Sequence, residues 1–436
     1  MVKKRSGGPF EAAPPACVAE PVRRITPRMS VLVQKYGGTS VDGPERLRAV
    51  ARRVAAARAA GHELVVVVSA MGHSTDELIR LAHQVSAQPN RRELDMLVST
   101  GERVSMALLA MALHDLGVGA ISFTGSQSGI LTTGPHSGAR IVEVRPDRIR
   151  AALARGMVAI VAGFQGVDPA TKEITTLGRG GSDTTAVALA AALAPAACEI
   201  YTDVSGVYTA DPRVAAAARV IPELGTRACS ALAHLGGRVL HARCVDLAAR
   251  ARVPLSVRSS FDDAPGTRIV EDHAMERTRV EAIAHQKDRA IVVAEGNAGG
   301  RGEARGIIES VAERFPGLEL VAHEQATEVH GAVVWTGSPE DATALERDFG
   351  QVRGPGGEWR LSVEREVAFV SAIGLGLGAA EAARAERALE KAGIPLIALR
   401  TTPAAIILRV PNPRAEDAVR ALHAAFLEPP AAPAGA

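Results

Sequence analysis

Three unbroken apolar runs constrain this chain more than any other feature: Val31-Leu32-Val33 after Ser30, Leu64-Val65-Val66-Val67-Val68, and Met157-Val158-Ala159-Ile160-Val161. A strand with one wet face alternates apolar and polar side chains. A strand that is apolar at every position is buried on both faces, as in a parallel sheet covered by helices. Helical patterns accompany these runs over Pro44 to Ala60, Asp76 to Ser86, Glu93 to Leu116 and Asp183 to Ala194. The rhythm predicts an α/β fold, a three-layer αβα sandwich with a mainly parallel sheet, over residues 29–270. The small residues Ala186 to Ala192 predict a helix lying close against that sheet.

At 436 residues the chain is too long for one typical domain. Beyond Thr278 the rhythm changes and a repeat emerges. Ile291-Val292-Val293 aligns with Val367-Ala368-Phe369, Phe315-Pro316-Gly317-Leu318 with Lys391-Ala392-Gly393-Ile394, and Glu340-Asp341-Ala342 with Glu416-Asp417-Ala418, all at an offset of about 76 residues. Each copy, roughly 283–355 and 362–428 within a region 279–436, reads strand, helix, strand, strand, helix. That is the order of a ferredoxin-like βαββαβ module, with the terminal strand unplaced. Ser259 to Thr278, with Asp262-Asp263-Ala264-Pro265-Gly266, reads as the linker. Residues 1–28, broken by Pro9, Pro14, Pro15, Pro21 and Pro27, read as a disordered extension without a secretory core.

Composition excludes several classes. Lys and Arg number 50 against 48 Asp and Glu, so no field of one sign invites a nucleic acid. The four cysteines lie far apart, implying neither a disulfide framework nor a zinc site and suiting a reducing cytoplasm. No apolar stretch is expected to reach the roughly 20 residues of a membrane span. His62, His73, His83, His136 and His241 show no ligand spacing and read as ordinary surface or helix histidines, and no metal ligand set is expected.

Three segments carry chemistry. Lys35-Tyr36-Gly37-Gly38-Thr39-Ser40 follows the first buried strand. Glycines let backbone N–H groups approach phosphate oxygens and Lys35 can neutralise charge, although a tight turn with a solvated Lys reads equally well. Thr175-Thr176-Leu177-Gly178-Arg179-Gly180-Gly181-Ser182-Asp183 opens a helix. Capping accounts for Ser182 and Asp183 but leaves Arg179 unexplained, which favours anion binding at the helix mouth. Thr202-Asp203-Val204-Ser205-Gly206-Val207-Tyr208-Thr209-Ala210-Asp211-Pro212-Arg213 lies just past a strand's carboxyl end, the usual ligand edge of such a sheet, with a plain turn as the other reading.

Taken in order, these segments resemble the aspartokinase branch of the amino-acid kinase superfamily. Ser69-Ala70-Met71-Gly72 with Thr75-Asp76-Glu77-Leu78, Ser99-Thr100-Gly101-Glu102 and Gly163-Phe164-Gln165-Gly166 match its further motifs, and the match covers residues 30 to 270. Met71 and Val257-Arg258-Ser259-Ser260 lean toward the actinobacterial-like type. The resemblance implies transfer from ATP, with Mg²⁺, to the side-chain carboxylate of L-aspartate, giving 4-phospho-L-aspartate at the head of the aspartate-derived amino-acid pathway or in a specialised pathway. It implies Lys35 and Asp183 as catalytic residues, and Ser69, Thr75, Glu102, Arg179 and Ser182 as substrate-binding. It places Gly37, Gly38, Thr39, Ser40, Thr202, Asp203, Tyr208, Arg213 and Arg238 at the nucleotide, with Gly37 and Gly38 as N–H donors. It also implies tandem ACT-like regulatory modules and a homo-oligomer assembled through them.

The chain departs from the family at Arg238, where Lys is usual, and in its final half. There Pro395 removes an N–H donor where effectors are commonly held, and Gly374-Leu375-Gly376-Leu377-Gly378 lacks the usual side chains, so relaxed feedback by lysine and threonine is expected. Other readings are a kinase for another amino acid such as glutamate or N-acetylglutamate, a non-catalytic ACT-type sensor, and a pure assembly subunit. Glu102 argues against an N-acylated substrate, which has no ammonium to pair, and Lys35, Arg179 and Asp183 argue against the last two.

Overall fold

The computed structural model describes residues 31–134, 136–237, 239–272, 279–297, 301–315, 317–325, 330–352 and 358–429. The extension read over 1–28 and Arg238 lie outside the described residues. The chain begins β1 (Val31–Tyr36), α1 (Pro44–Ala59), β2 (Glu63–Val68), α2 (Ser74–Val85), α3 (Arg91–Val98), α4 (Thr100–Asp115) and β3 (Ala120–Phe123). It continues with β4 (Ile130–Thr132), β5 (Ile141–Val144), α5 (Asp147–Ala154), β6 (Val158–Ala162), β7 (Gln165–Val167), β8 (Ile174–Thr176), α6 (Gly181–Ala192) and β9 (Ala196–Thr202). Then come β10 (Glu223–Gly225), α7 (Thr226–His234), α8 (Ala242–Ala251), β11 (Leu255–Ser259) and β12 (Thr267–Val270).

Eight of these strands form one sheet in the order β10-β12-β11-β9-β1-β2-β6-β3, parallel from β11 through β3. The apolar runs occupy its centre because both faces are covered. Val65 and Val67 of β2 enter one core with α5 to α8, while Leu64, Val66 and Val68 enter another with α1 and α4. Helix α6 is buried from Gly181 to Ala190, its alanines letting it lie close to the sheet. A smaller sheet, β5-β4-β7-β8, stands beside the first.

Three local expectations are corrected. The single helix read over Glu93 to Leu116 is interrupted at Ser99, whose hydroxyl donates to the Met96 carbonyl and whose own carbonyl is taken by Gln165 Nε2 at 2.9 Å. Taken as one run, Arg91–Asp115 is long and apolar enough to cross a membrane, against the expectation of none, but half of its apolar window is buried inside the protein. The linker read from Ser259 contains β12, whose Thr267 is fully buried and donates to the Ile221 carbonyl at 2.6 Å.

The remaining chain is β13 (Arg279–Asn297), α9 (Arg301–Arg314), β14 (Glu319–Gln325), β15 (His330–Gly337), α10 (Pro339–Val352), β16 (Glu358–Leu375), α11 (Ala379–Lys391), β17 (Ala398–Thr402), β18 (Ala405–Pro411) and α12 (Ala415–Leu427). Its six strands form one sheet, β14-β15-β13-β16-β18-β17. The strand missing from the sequence reading is here: β13 and β16 pair antiparallel along their lengths, and each serves both copies. The start of β16 completes the first βαββαβ unit, with Trp359 in its core, and the start of β13 completes the second, with Val280 and Ile283 in its core. Ala282, Ala284, Ile373 and Ala405 of this sheet join the first domain's core beside α7, so the two regions share apolar surface.

Candidate active site

A cavity of about 1090 Å³ opens at the carboxyl ends of β1, β2, β6 and β9, the edge where an open parallel sheet presents loops rather than paired strands. Lys35, next to last in β1, holds its Nζ 2.6 Å from Asp183 Oδ1, both side chains nearly buried. Asp183 sits in the first turn of α6, where unpaired N–H groups and the helix dipole favour an anion. That helix opens two residues earlier than the sequence suggested because Gly180 takes a left-handed conformation at φ 68°. A Cβ there would lie 2.2 Å from the His241 ring, so only glycine fits.

Across the cavity, α4 presents Glu102, which is 3% exposed. Its Oε1 accepts the Ala70 N–H at 3.2 Å, and its Oε2 is buried with no partner among the described residues. Burial pushes this carboxyl up to about 7. Arg179 lines the same space with an exposed guanidinium that makes no hydrogen bond or ion pair among the described residues. An unpartnered acid, an unpartnered guanidinium and a Lys–Asp pair at a helix mouth are suited to a zwitterion beside a polyanion.

Of the residues singled out from sequence, Lys35, Gly38, Ser69, Thr75, Glu102, Arg179, Ser182, Asp183 and Thr202 line this cavity. Gly38 lies close under the Ala70–Gly72 turn, where a Cβ would meet the Ala70 carbonyl at 3.0 Å. Gly37 does not offer its N–H as expected, since it donates to the Tyr201 carbonyl at 3.2 Å. Thr39 is exposed and Ser40 is buried, both off the lining. Asp203 accepts from Thr202 Oγ1 at 3.0 Å, and Tyr208 bridges to Val220. Arg213 forms a two-pronged pair with Asp211, at 3.0 and 2.7 Å, which holds it away from the cavity.

The sequence reading missed several wall residues. His241, read as ordinary, lines the cavity with Nδ1 buried and unpartnered among the described residues, its pKa lowered by burial and by Arg243. His136, likewise, bonds the wall residue Asp95 at 3.0 Å. Arg243 donates to the carbonyls of Leu177 and Ala139, at 2.5 and 3.1 Å, fixing the turn that carries Arg179. Gln286 and Glu319 bring the second sheet to the rim. The Gly-Gly-x-x-x-His spacing at 236–241 was the one signal that could have flagged His241.

Residues 30–259 match the model of the Amino acid kinase family. The chain is 42% identical over 405 residues to an aspartokinase of Mycolicibacterium smegmatis, covering 91% of this chain and 96% of the relative. An aspartokinase of Thermus thermophilus is 44% identical over 407 residues, covering 91% and 99%. Among solved structures, E. coli aspartokinase III in complex with aspartate and ADP superposes with a TM-score of 0.76 at 25% identity, over 91% of this chain and all of that one.

Proposed function

The chain belongs to the amino acid kinase family and, within it, to the aspartokinases, and from this we propose that its cavity is where ATP phosphorylates the side-chain carboxylate of L-aspartate. The products are 4-phospho-L-aspartate and ADP. The buried Glu102 with an Oε2 free of partners among the described residues, in one cavity with Arg179, unpaired among them, and the Lys35–Asp183 pair, carries this reading.

The acceptor carboxylate has an ordinary pKa near 4 and is already ionised at neutral pH, so no general base is needed. The obstacle is an anion attacking a polyanion, and catalysis rests on charge neutralisation and alignment. Lys35 bridges the transferring phosphoryl group, held at its angle by Asp183. The first-turn N–H groups of α6 and the N–H of Gly38 face the phosphates. Glu102 receives the substrate ammonium, Arg179 the α-carboxylate, and Ser69, Thr75 and Ser182 complete the pocket with hydroxyls. Thr202 marks the nucleotide side. The Arg213 side chain reaches the nucleotide only if it leaves Asp211.

No group of three His, Cys, Asp or Glu side chains suited to a metal ion occurs among the described residues. Mg²⁺ would enter with the triphosphate, whose oxygens and waters supply most of its ligands. Bound with the triphosphate, the ion would supply charge neutralisation for the transferring phosphoryl group. A homo-oligomer formed through the second sheet belongs to the same reading, since Leu320 in the outer strand β14 and Ile397 just before the other outer strand, β17, are exposed. Light scattering tests it.

Purified protein with ATP, Mg²⁺, L-aspartate and hydroxylamine is expected to yield aspartyl hydroxamate. Product with glutamate or N-acetylglutamate but none with aspartate would sink the substrate assignment while leaving the fold intact.

A further inference from the structure

We infer that Asp95 is a positioning residue that sets the span between the ammonium and carboxylate subsites for aspartate, an inference that rests on the roles given above to Glu102 and Arg179. Asp95 lies on α3 and is fully buried. Its Oδ1 accepts from Ser137 N, Ser137 Oγ and Thr176 Oγ1, at 3.1, 3.2 and 2.7 Å. Its Oδ2 lies 3.0 Å from each of Ser137 N, Thr176 N and His136 Nδ1. No Lys or Arg pairs with it among the described residues; its one basic neighbour there is His136. A buried carboxylate without a permanent cation is costly unless donors surround it, and donors drawn from three separate positions amount to a clamp.

The clamp joins the two halves of the substrate pocket. Four residues beyond Asp95 comes the Ser99 break, and then α4 with Glu102. On the other side, Thr176 ends β8 three residues before Arg179. Arg179 makes no side-chain bond among the described residues, so its guanidinium is aimed by backbone alone. That backbone is held by Asp95 at Thr176, by the Phe164 carbonyl at the Leu177 N–H (2.9 Å), and by Arg243 at the Leu177 carbonyl. Of these three, Asp95 alone also belongs to the helix pair that carries Glu102.

Aspartate and glutamate differ by one methylene, which a pocket discriminates by roughly 10- to 200-fold when its subsites stay fixed. Loosening their span therefore degrades aspartate binding and chain-length selectivity together, while leaving the nucleotide side alone. An Asp95→Asn amide must point N–H at one of the two donor groups, whichever way it turns. Its expected effect is an aspartate KM raised on the order of 10- to 100-fold, an unchanged ATP KM, and a reduced aspartate-to-glutamate ratio in kcat/KM. Thr176→Val removes one donor without changing shape and moves the same readouts in the same direction. Thr176→Ser restores the hydroxyl and returns them toward the parent values. If Asp95→Asn fails to fold, the two Thr176 variants carry the test.

Equal rises in both KM values, a pure loss of kcat, or an unaltered aspartate-to-glutamate ratio in the folded variants overturns the inference. Glu102→Gln, assayed in parallel, separates the two levels of argument. An unaltered aspartate KM there overturns the site reading and this inference with it. A raised KM in Glu102→Gln but not in Asp95→Asn or Thr176→Val overturns the inference alone.

Discussion

Replacing Glu102 by Gln should make the empty protein more stable and the working enzyme worse. The folded structure raises this carboxyl from 4.5 to about 7 by burial, which corresponds to about 3 kcal/mol against the charged form. Below pH 4.5 the group is neutral in folded and unfolded chains alike and costs nothing. Between pH 4.5 and about 7 the folded chain keeps a proton that the unfolded chain releases, so stability falls as pH rises. Above about 7 the whole cost is present. Gln keeps an acceptor for the Ala70 N–H but places an amide where Oε2 had no partner, and that unmet donor costs about 1 kcal/mol. The net gain is about 2 kcal/mol at pH 8, shrinking toward zero near pH 5. The same change removes the partner of a buried ammonium, worth roughly 3–5 kcal/mol, so the aspartate KM should rise more than about 100-fold. Urea unfolding at pH 5 and pH 8, with aspartate kinetics from coupled ADP release, reads both effects. The parent enzyme should also lose kcat/KM for aspartate as pH falls through about 7, and the Gln variant should not. An aspartate KM within about twofold of the parent would refute the assignment of Glu102 to the ammonium, and an unfolding midpoint that drops at pH 8 would refute the cost assigned to its buried charge.

Lys35→Ala should lower kcat by roughly 100- to 1,000-fold while ATP still binds, which single-turnover hydroxamate formation and nucleotide titration distinguish. Gly180→Ala should fail more severely than a surface change, because it adds about 1–2 kcal/mol of left-handed strain to a Cβ lying 2.2 Å from the His241 ring. Thermal unfolding and hydroxamate yield check it together. Lysine and threonine, added singly and together, should leave turnover unchanged, given Pro395 and the glycines of 374–378. Strong inhibition by either would overturn the relaxed-feedback reading.

Much of the fold was legible because it rests on short-range rules. In the run Leu64–Val68 every position is apolar, so both faces of the strand must be covered, and a central place in a parallel sheet follows. The repeat showed because equivalent elements recur at one offset, yet the strand that completes each copy did not. In β13 and β16 a single long strand serves two cores, and no local pattern announces which half packs where. The break at Ser99 was hidden for the same reason, since Gln165, 66 residues away, takes the carbonyl that would have continued the helix.

For the site, residues next to glycine turns and helix mouths stood out from the chain alone: Lys35, Arg179, Ser182 and Asp183 all sit where a strand ends or a helix begins. Glu102 stood out only through family resemblance. Asp95, Arg243 and His241 did not stand out at all. The donors to Asp95 come from 41, 42 and 81 residues away, and an acid within a short amphipathic helix looks like any solvated one until those partners arrive. Periodicity, capping and turn chemistry are written between near neighbours, and they settled the layers, the parallel sheet and the tight turn after its first strand. Which carboxylate is left unpaired, which is clamped, and which Arg is free are decided by burial and by contacts across distant segments, and only folding brings those together.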